Sequence, residues 1–294
     1  MLHRRAFLRR FGAAAFATAP ARAAVAATLD ASGLEKSLVD IEAALGGRLG
    51  VAVLDTGGSL RAGHRADERF PLCSTFKFLA AAAVLARVDA GQERLDRRVR
   101  VEPKDILAHS PAAEKHLNGT MSLAELCEAA IAVSDKAAAN LLLAELGGPA
   151  GLTQSLRALG DQETRLDRWE LELNEALPND PRDTTTPAAM VKNLQRLVLG
   201  DGLSPASRGQ LADWLIANKT GDDCLRAGAP AGWRVGDKTG SGERGTRNDI
   251  AILWPPGRAP IVVAAYITGA TVSVERRNAG LAAVAKAVAA SFSA

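Results

Sequence analysis

Ser74-Thr75-Phe76-Lys77 sets a hydroxyl and an amine three residues apart. On a helix that spacing puts both groups on one face, with the amine near the hydroxyl. A serine hydroxyl is a weak nucleophile until a base takes its proton, and a partly desolvated lysine is able to do so. If the run opens a helix, the N-terminal dipole and the free amides also favour the negative charge that builds during attack. Alone the pattern says little, because Ser-x-x-Lys arises by chance about once in a chain of this composition. Two further runs bring more hydroxyl and ammonium groups: Ser134-Asp135-Lys136, and Lys238-Thr239-Gly240 followed by Ser241-Gly242. The first also reads as a helix N-cap, the second as an edge strand with a turn. In this order and in these settings, the three together point to nucleophilic chemistry.

The elements that would position them are legible from periodicity. Leu34, Leu38, Ile41 and Leu45 recur at helical spacing, and Gly46-Gly47 ends that helix. Strands are expected at 51–54 and 59–63 around the turn Thr56-Gly57-Gly58, and again at 234–239, 247–254 and 261–268. Between these groups lies a helical tract with helices predicted at 74–88, 123–133, 137–146, 187–199 and 205–217; Ser122 and Glu125 form a capping box. A last helix is expected over 274–292. The economical architecture is α+β: five strands in an antiparallel sheet covered by the terminal helices, beside an all-helical lobe, with a site at the seam. The lobes are expected at 24–68 with 214–294, and at 69–213.

Composition narrows the function classes. A net charge of +3 over 294 residues and 4% aromatics offer neither a basic tail nor a base-stacking platform, so no nucleic-acid partner is expected. Arg4-Arg5-Ala6-Phe7-Leu8, a weakly apolar stretch over 11–18 and Ala21-Arg22-Ala23 read as a twin-arginine signal peptide over 1–23. No later segment reaches the ~20 apolar residues of a membrane span, so the mature protein is expected to be soluble and periplasmic or secreted. The three cysteines, Cys73, Cys127 and Cys224, are widely spaced with no metal-like pair, and no disulfide, metal or cofactor is expected.

Taken together, the three runs are the set found in class A β-lactamases and penicillin-binding proteins, and the chain resembles class A along nearly all of its mature length. Ser110-Pro111, Glu114-Lys115-His116, Arg168-Trp169-Glu170, Glu172-Leu173-Asn174 and Arg247-Asn248-Asp249 extend the resemblance. It implies a monomer acting on small β-lactams, with Ser74 as nucleophile, Lys77 as its activating partner and Ser134 as proton relay to the leaving nitrogen. Lys238, Thr239, Ser241 and Arg247 would hold the substrate carboxylate, and the amides of Ser74 and Ser241 would form the oxyanion hole. Glu170 and Asn174, on a loop over 165–183, would hold the water that releases the acyl group. Arg168 and Asp183 resemble the ion pair that clamps this loop. A D,D-peptidase would share the nucleophile but not need Glu170 and Asn174; a β-lactam receptor would acylate and stop.

Three positions depart from the family pattern. Lys136 stands where members usually have asparagine, Leu171 where they usually have proline, and His109 where tyrosine often lies at the cleft entrance. Lysine donates but does not accept, and adds a cation near Lys77 and Lys238. Placed between Lys77 and Glu170, it would pair with the glutamate, make a charged Lys77 costlier, limit turnover and narrow the substrate range. Leu171 removes a ring that fixes the backbone beside Glu170. Members specialised for carbapenems often link the cysteine before the nucleophile to one just past the Lys-Thr-Gly strand. Here Gly242 stands at that place.

Overall fold

The computed structural model describes residues 30–58 and 61–292; the expected signal peptide lies outside them. In chain order the strands are β1 (Arg48–Asp55), β2 (Arg61–His64), β3 (Phe70–Pro71), β4 (Arg98–Arg100), β5 (Thr120–Ser122), β6 (Thr184–Thr185), β7 (Arg234–Gly242), β8 (Thr246–Trp254) and β9 (Ile261–Thr268). The α-helices are α1 (Ala31–Leu45), α2 (Phe76–Asp89), α3 (Leu123–Ala132), α4 (Lys136–Leu146), α5 (Gly148–Ala158), α6 (Pro187–Leu194), α7 (Pro205–Ile216), α8 (Leu225–Gly228) and α9 (Val274–Ala290).

Five strands form one antiparallel sheet in the order β2-β1-β9-β8-β7, so the chain's two ends build it jointly. Both faces are covered, which explains why β1 reads as a continuous apolar run rather than an alternation. Val51, Val53, Val263 and Ala265 pack toward α1 and α9, while Ala52, Leu54, Ala264 and Tyr266 face the core shared with α2 and its neighbours. Residues of opposite parity thus serve two cores, as strand pleating requires.

Most expected elements appear, with boundary shifts that have local causes. Gly46 stops α1 at φ 65°, and the Ser122–Glu125 capping box opens α3 with both reciprocal bonds made. The helix expected from Ser74 begins instead as a 3₁₀ turn, Cys73–Thr75, which passes into α2. The helix expected over 187–199 is α only to Leu194 and continues as a π-helical turn, Gln195–Leu199. Helix α5 is not evident from periodicity: Gly148, Pro149 and Gly151 interrupt its pattern. Strand β7 runs three residues further than expected, carrying Gly240, Ser241 and Gly242 in the ladder opposite Asn248, Arg247 and Thr246. Among the described residues no helix is long and apolar enough to cross a membrane.

Candidate active site

The site forms where the 3₁₀ turn Cys73–Thr75, the start of α4, the loop over 165–183 and strand β7 meet. Ser74 is only 7% exposed, and Lys77, one turn on, is wholly buried. Cys73 holds a left-handed φ of 44°, so the Cys73–Thr75 turn is fixed by its surroundings against local preference. Those surroundings include β7. A Cβ at Gly240 would lie 3.1 Å from the Leu72 carbonyl oxygen, and one at Gly242 would lie 2.6 Å from Cys73 Sγ and 2.8 Å from the Asn174 carbonyl oxygen. These two glycines let the strand approach both the Cys73–Thr75 turn and the loop.

A chain of polar groups crosses the floor. Lys77 Nζ donates to the Ser134 carbonyl at 2.9 Å and to Ser134 Oγ at 3.4 Å. Lys238 Nζ donates to the same Oγ at 3.1 Å and to the Thr239 carbonyl at 2.9 Å. Ser134 Oγ therefore accepts from two ammonium groups, which leaves its own proton to be given outward. On the other side, Lys77 Nζ is 2.9 Å from Glu170 Oε1, and both side chains are fully buried. Asn174 Nδ2 donates to Glu170 Oε2 at 2.5 Å. The Glu170–Leu171 peptide is cis, and Leu171 is turned out to solvent.

Burial lowers the pKa of Lys77; the Glu170 charge opposes that shift and the Lys136 charge adds to it. Lys238 is pushed down to about 7, first by burial and then by the charge of Lys77. Behind it, the buried carboxyl of Asp237 is raised by desolvation although it accepts from Arg226 Nη2 and Asn218 Nδ2, both at 2.5 Å.

The remaining expected residues gather around this floor. Thr239 Oγ1 lies 2.5 Å from Thr220 Oγ1, and Arg247 Nη1 donates to Ser241 Oγ at 2.7 Å. Arg247 is steadied by Asn278 Oδ1 at 2.8 Å. His109 sits exposed at φ 65°, with its Nε2 donating to the Val133 carbonyl at 3.0 Å and its own carbonyl accepting from the Lys136 amide. Asp135 is the N-cap of α4, accepting from the Ala138 amide at 2.8 Å. The capping reading of that run thus falls on Asp135, which leaves the Ser134 hydroxyl to the two lysines.

One expectation is corrected. Lys136 does not pair with Glu170, whose carboxylate is taken by Lys77 and Asn174. The lysine is half-buried, and among the described residues its ammonium has no hydrogen-bond or ion-pair partner. Sequence reading also missed Asn140, which clamps the Glu170 backbone from both sides: its Nδ2 donates to the Glu170 carbonyl and its Oδ1 accepts from the Glu170 amide, each at 3.0 Å. The available signal was one amide in the Ala- and Leu-rich run of α4, four residues after Lys136. Thr220, Asp237 and Asn278 carried no comparable signal.

Fold and site together define a penicillin-recognising serine hydrolase. The β-lactamase enzyme family profile matches residues 33–292. β-Lactamase L2 of Stenotrophomonas maltophilia is 51% identical over 271 residues, covering 92% of this chain and 87% of its own. β-Lactamase Toho-1 of Escherichia coli is 50% identical over 258 residues, covering 88% of this chain and 89% of its own. A solved ancestral class A β-lactamase (GNCA) superposes with a TM-score of 0.87 at 63% identity, covering 87% of this chain and 99% of that one. The chain belongs to the β-lactamase family, as a class A serine enzyme.

Proposed function

We propose that this enzyme hydrolyses the β-lactam amide through an acyl-enzyme on Ser74, with the residues described above in distinct roles. Ser74 Oγ bonds to the carbonyl carbon as its proton passes toward Lys77, whose burial favours the neutral amine. The carbon–nitrogen bond then breaks, and Ser134 gives its proton to the nitrogen and is reprotonated from the lysine side. Lys238, Thr239, Ser241 and Arg247 hold the substrate carboxylate, and the Ser74 and Ser241 amides serve the developing oxyanion. In the second half, Glu170 takes a proton from a water placed with Asn174. The water oxygen bonds to the acyl carbon, and Ser74 leaves with a proton.

The observation that carries hydrolysis over a trap or a peptidase is the Glu170 carboxylate, fixed at 2.9 Å from Lys77 and 2.5 Å from Asn174. Two variants test the assignment. Ser74→Ala should lose covalent labelling by a penicillin in intact-protein mass spectrometry; labelling at the parent rate would remove Ser74 from the role. Glu170→Ala should acylate and then accumulate the penicilloyl adduct, and parent-like turnover would mean another base releases it.

We also infer export by the twin-arginine route and a monomeric mature enzyme. Arg4-Arg5-Ala6-Phe7-Leu8 followed by Ala21-Arg22-Ala23 supports the first, and a host lacking that route should retain the uncleaved chain. That one chain supplies every proposed site residue supports the second, and light scattering should give the single-chain mass. The cleft then lies between two lobes, 24–68 with 214–294 and 69–213, the second carrying the catalytic loop 165–183.

A further inference from the structure

Lys136 opens α4, and Asn140 lies four residues on, on the same helix face. Asn140 bonds the Glu170 backbone, so this face is turned to the loop that carries Glu170, and Lys136 lies one turn nearer the cleft mouth formed by His109. The carboxylates of Asp135, beside it in the chain, and of Glu170, on the facing loop, are already engaged. Asp135 accepts from the amides of Ala138, Ala112 and Ala113, and Glu170 is held by Lys77 and Asn174. The other charged groups facing the site, Lys77 and Lys238, are cations, and Lys136 acts electrostatically on Lys77. Lys136 is thus half-buried, its ammonium has no partner among the described residues, and its charge reaches Lys77 in the cleft. Arg247, with Lys238, forms a separate cationic centre on the β7 side.

Resting on the β-lactamase reading, we infer that Lys136 makes this site selective for dianionic β-lactams, those whose acyl side chain carries a carboxylate besides the one on the ring. A ring carboxylate fits the β7 centre, and the second carboxylate supplies the counter-charge that Lys136 lacks in the folded chain. A side chain bearing an ammonium meets like charge at the same place. In a half-buried cleft such a pair is screened less than on an open surface, so charge at this point discriminates between substrates.

The test uses three penicillins that differ at one carbon: benzylpenicillin, its α-carboxy analogue and its α-amino analogue. In the full-length mature enzyme, kcat/KM for the carboxy compound should exceed that for the amino compound by about tenfold or more, a gap that salt should narrow. Lys136→Asn should bring the ratio close to one, and Lys136→Arg should keep it. Because each ratio is taken within one preparation, it does not depend on how much of a variant folds. A ratio unmoved by Lys136→Asn, or below one in the parent, overturns the inference while benzylpenicillin hydrolysis leaves the β-lactamase reading standing. Failure of the parent to acylate with any of the three overturns both.

Discussion

At the scale of single residues, the site is a contest between burial and charge. Lys238 is fully enclosed, and its pKa is pushed down to about 7 by burial and by the neighbouring Lys77. Its ammonium form, the one able to attract a carboxylate, is therefore full below neutrality and lost as pH rises through about 7. We expect kcat/KM for penicillins to fall on the alkaline side of neutrality through a rising KM, since kcat/KM reports the free enzyme. A bound anion restores the proton, so kcat should fall later. Lys238→Arg keeps its charge across this range and should flatten that limb. A parent profile flat from pH 6 to 9 would show that Lys238 stays charged when the site is empty. Asp237 stands behind this lysine with its carboxyl already shared between Arg226 and Asn218, and so compensates only part of the burial.

At the scale of elements, the loop over 165–183 is held at its ends more than along its length. Beneath its distal limb lies a cavity of about 670 Å³ lined by Arg48, Arg69, Ala176, Pro178, Asp180 and Arg244 among others. Apolar packing therefore does little for that limb. The buried Asp183 does more: it accepts from the Asp167 amide at 2.7 Å, the Arg168 amide at 2.9 Å and Arg168 Nε at 2.6 Å. Arg168 also reaches Glu175, the residue after Asn174, at 2.7 Å. Removing one member of a buried pair typically costs about 3–5 kcal/mol because the other is left uncompensated. Asp183→Asn keeps a residue that tolerates the φ of 56° while deleting the charge. It should lower Tm and slow deacylation more than acylation, read as a larger pre-steady-state burst over a slower steady state. Equal slowing of both steps would mean that the loop acts on the nucleophile instead. Gly242 belongs to the same scale, because a side chain there would press on both Cys73 and Asn174.

At the scale of the whole molecule, stability rests on two cores on opposite faces of one sheet, without covalent links among the cysteines. Cys73, Cys127 and Cys224 are all free and buried. Burial pushes the Cys224 thiol up to about 12 and raises the other two further. Because the thiolate is the reactive form, all three should resist an aromatic disulfide reagent in the native state. All three should titrate once the chain is unfolded in guanidinium, and a reductant should leave Tm unchanged. Rapid native labelling of one thiol would reveal local opening of the core that contains it.

The sequence by itself pointed to the groups proposed for the chemistry and to the elements that carry them. Hydroxyl and ammonium spacing at Ser74 and Lys77, the run at Ser134, the Lys238 strand and the Glu170–Asn174 loop follow from residue type and from family resemblance, because local periodicity and capping are local properties. The sheet's makeup from both chain ends was likewise readable, since β1, the second half of β8 and β9 carry apolar runs. What it could not supply was every decision made by through-space contact. Lys77 rather than Lys136 holds Glu170, because α2 brings the Lys77 amine to 2.9 Å from the carboxylate. Asn140 clamps the loop because α4 turns that face to it, and Thr220 and Asn278 join from segments distant from their partners Thr239 and Arg247 in sequence. The 3₁₀ opening of the nucleophile turn and the extension of β7 through Gly242 come from packing between these two segments, which overrides the helical and strand preferences of either one alone.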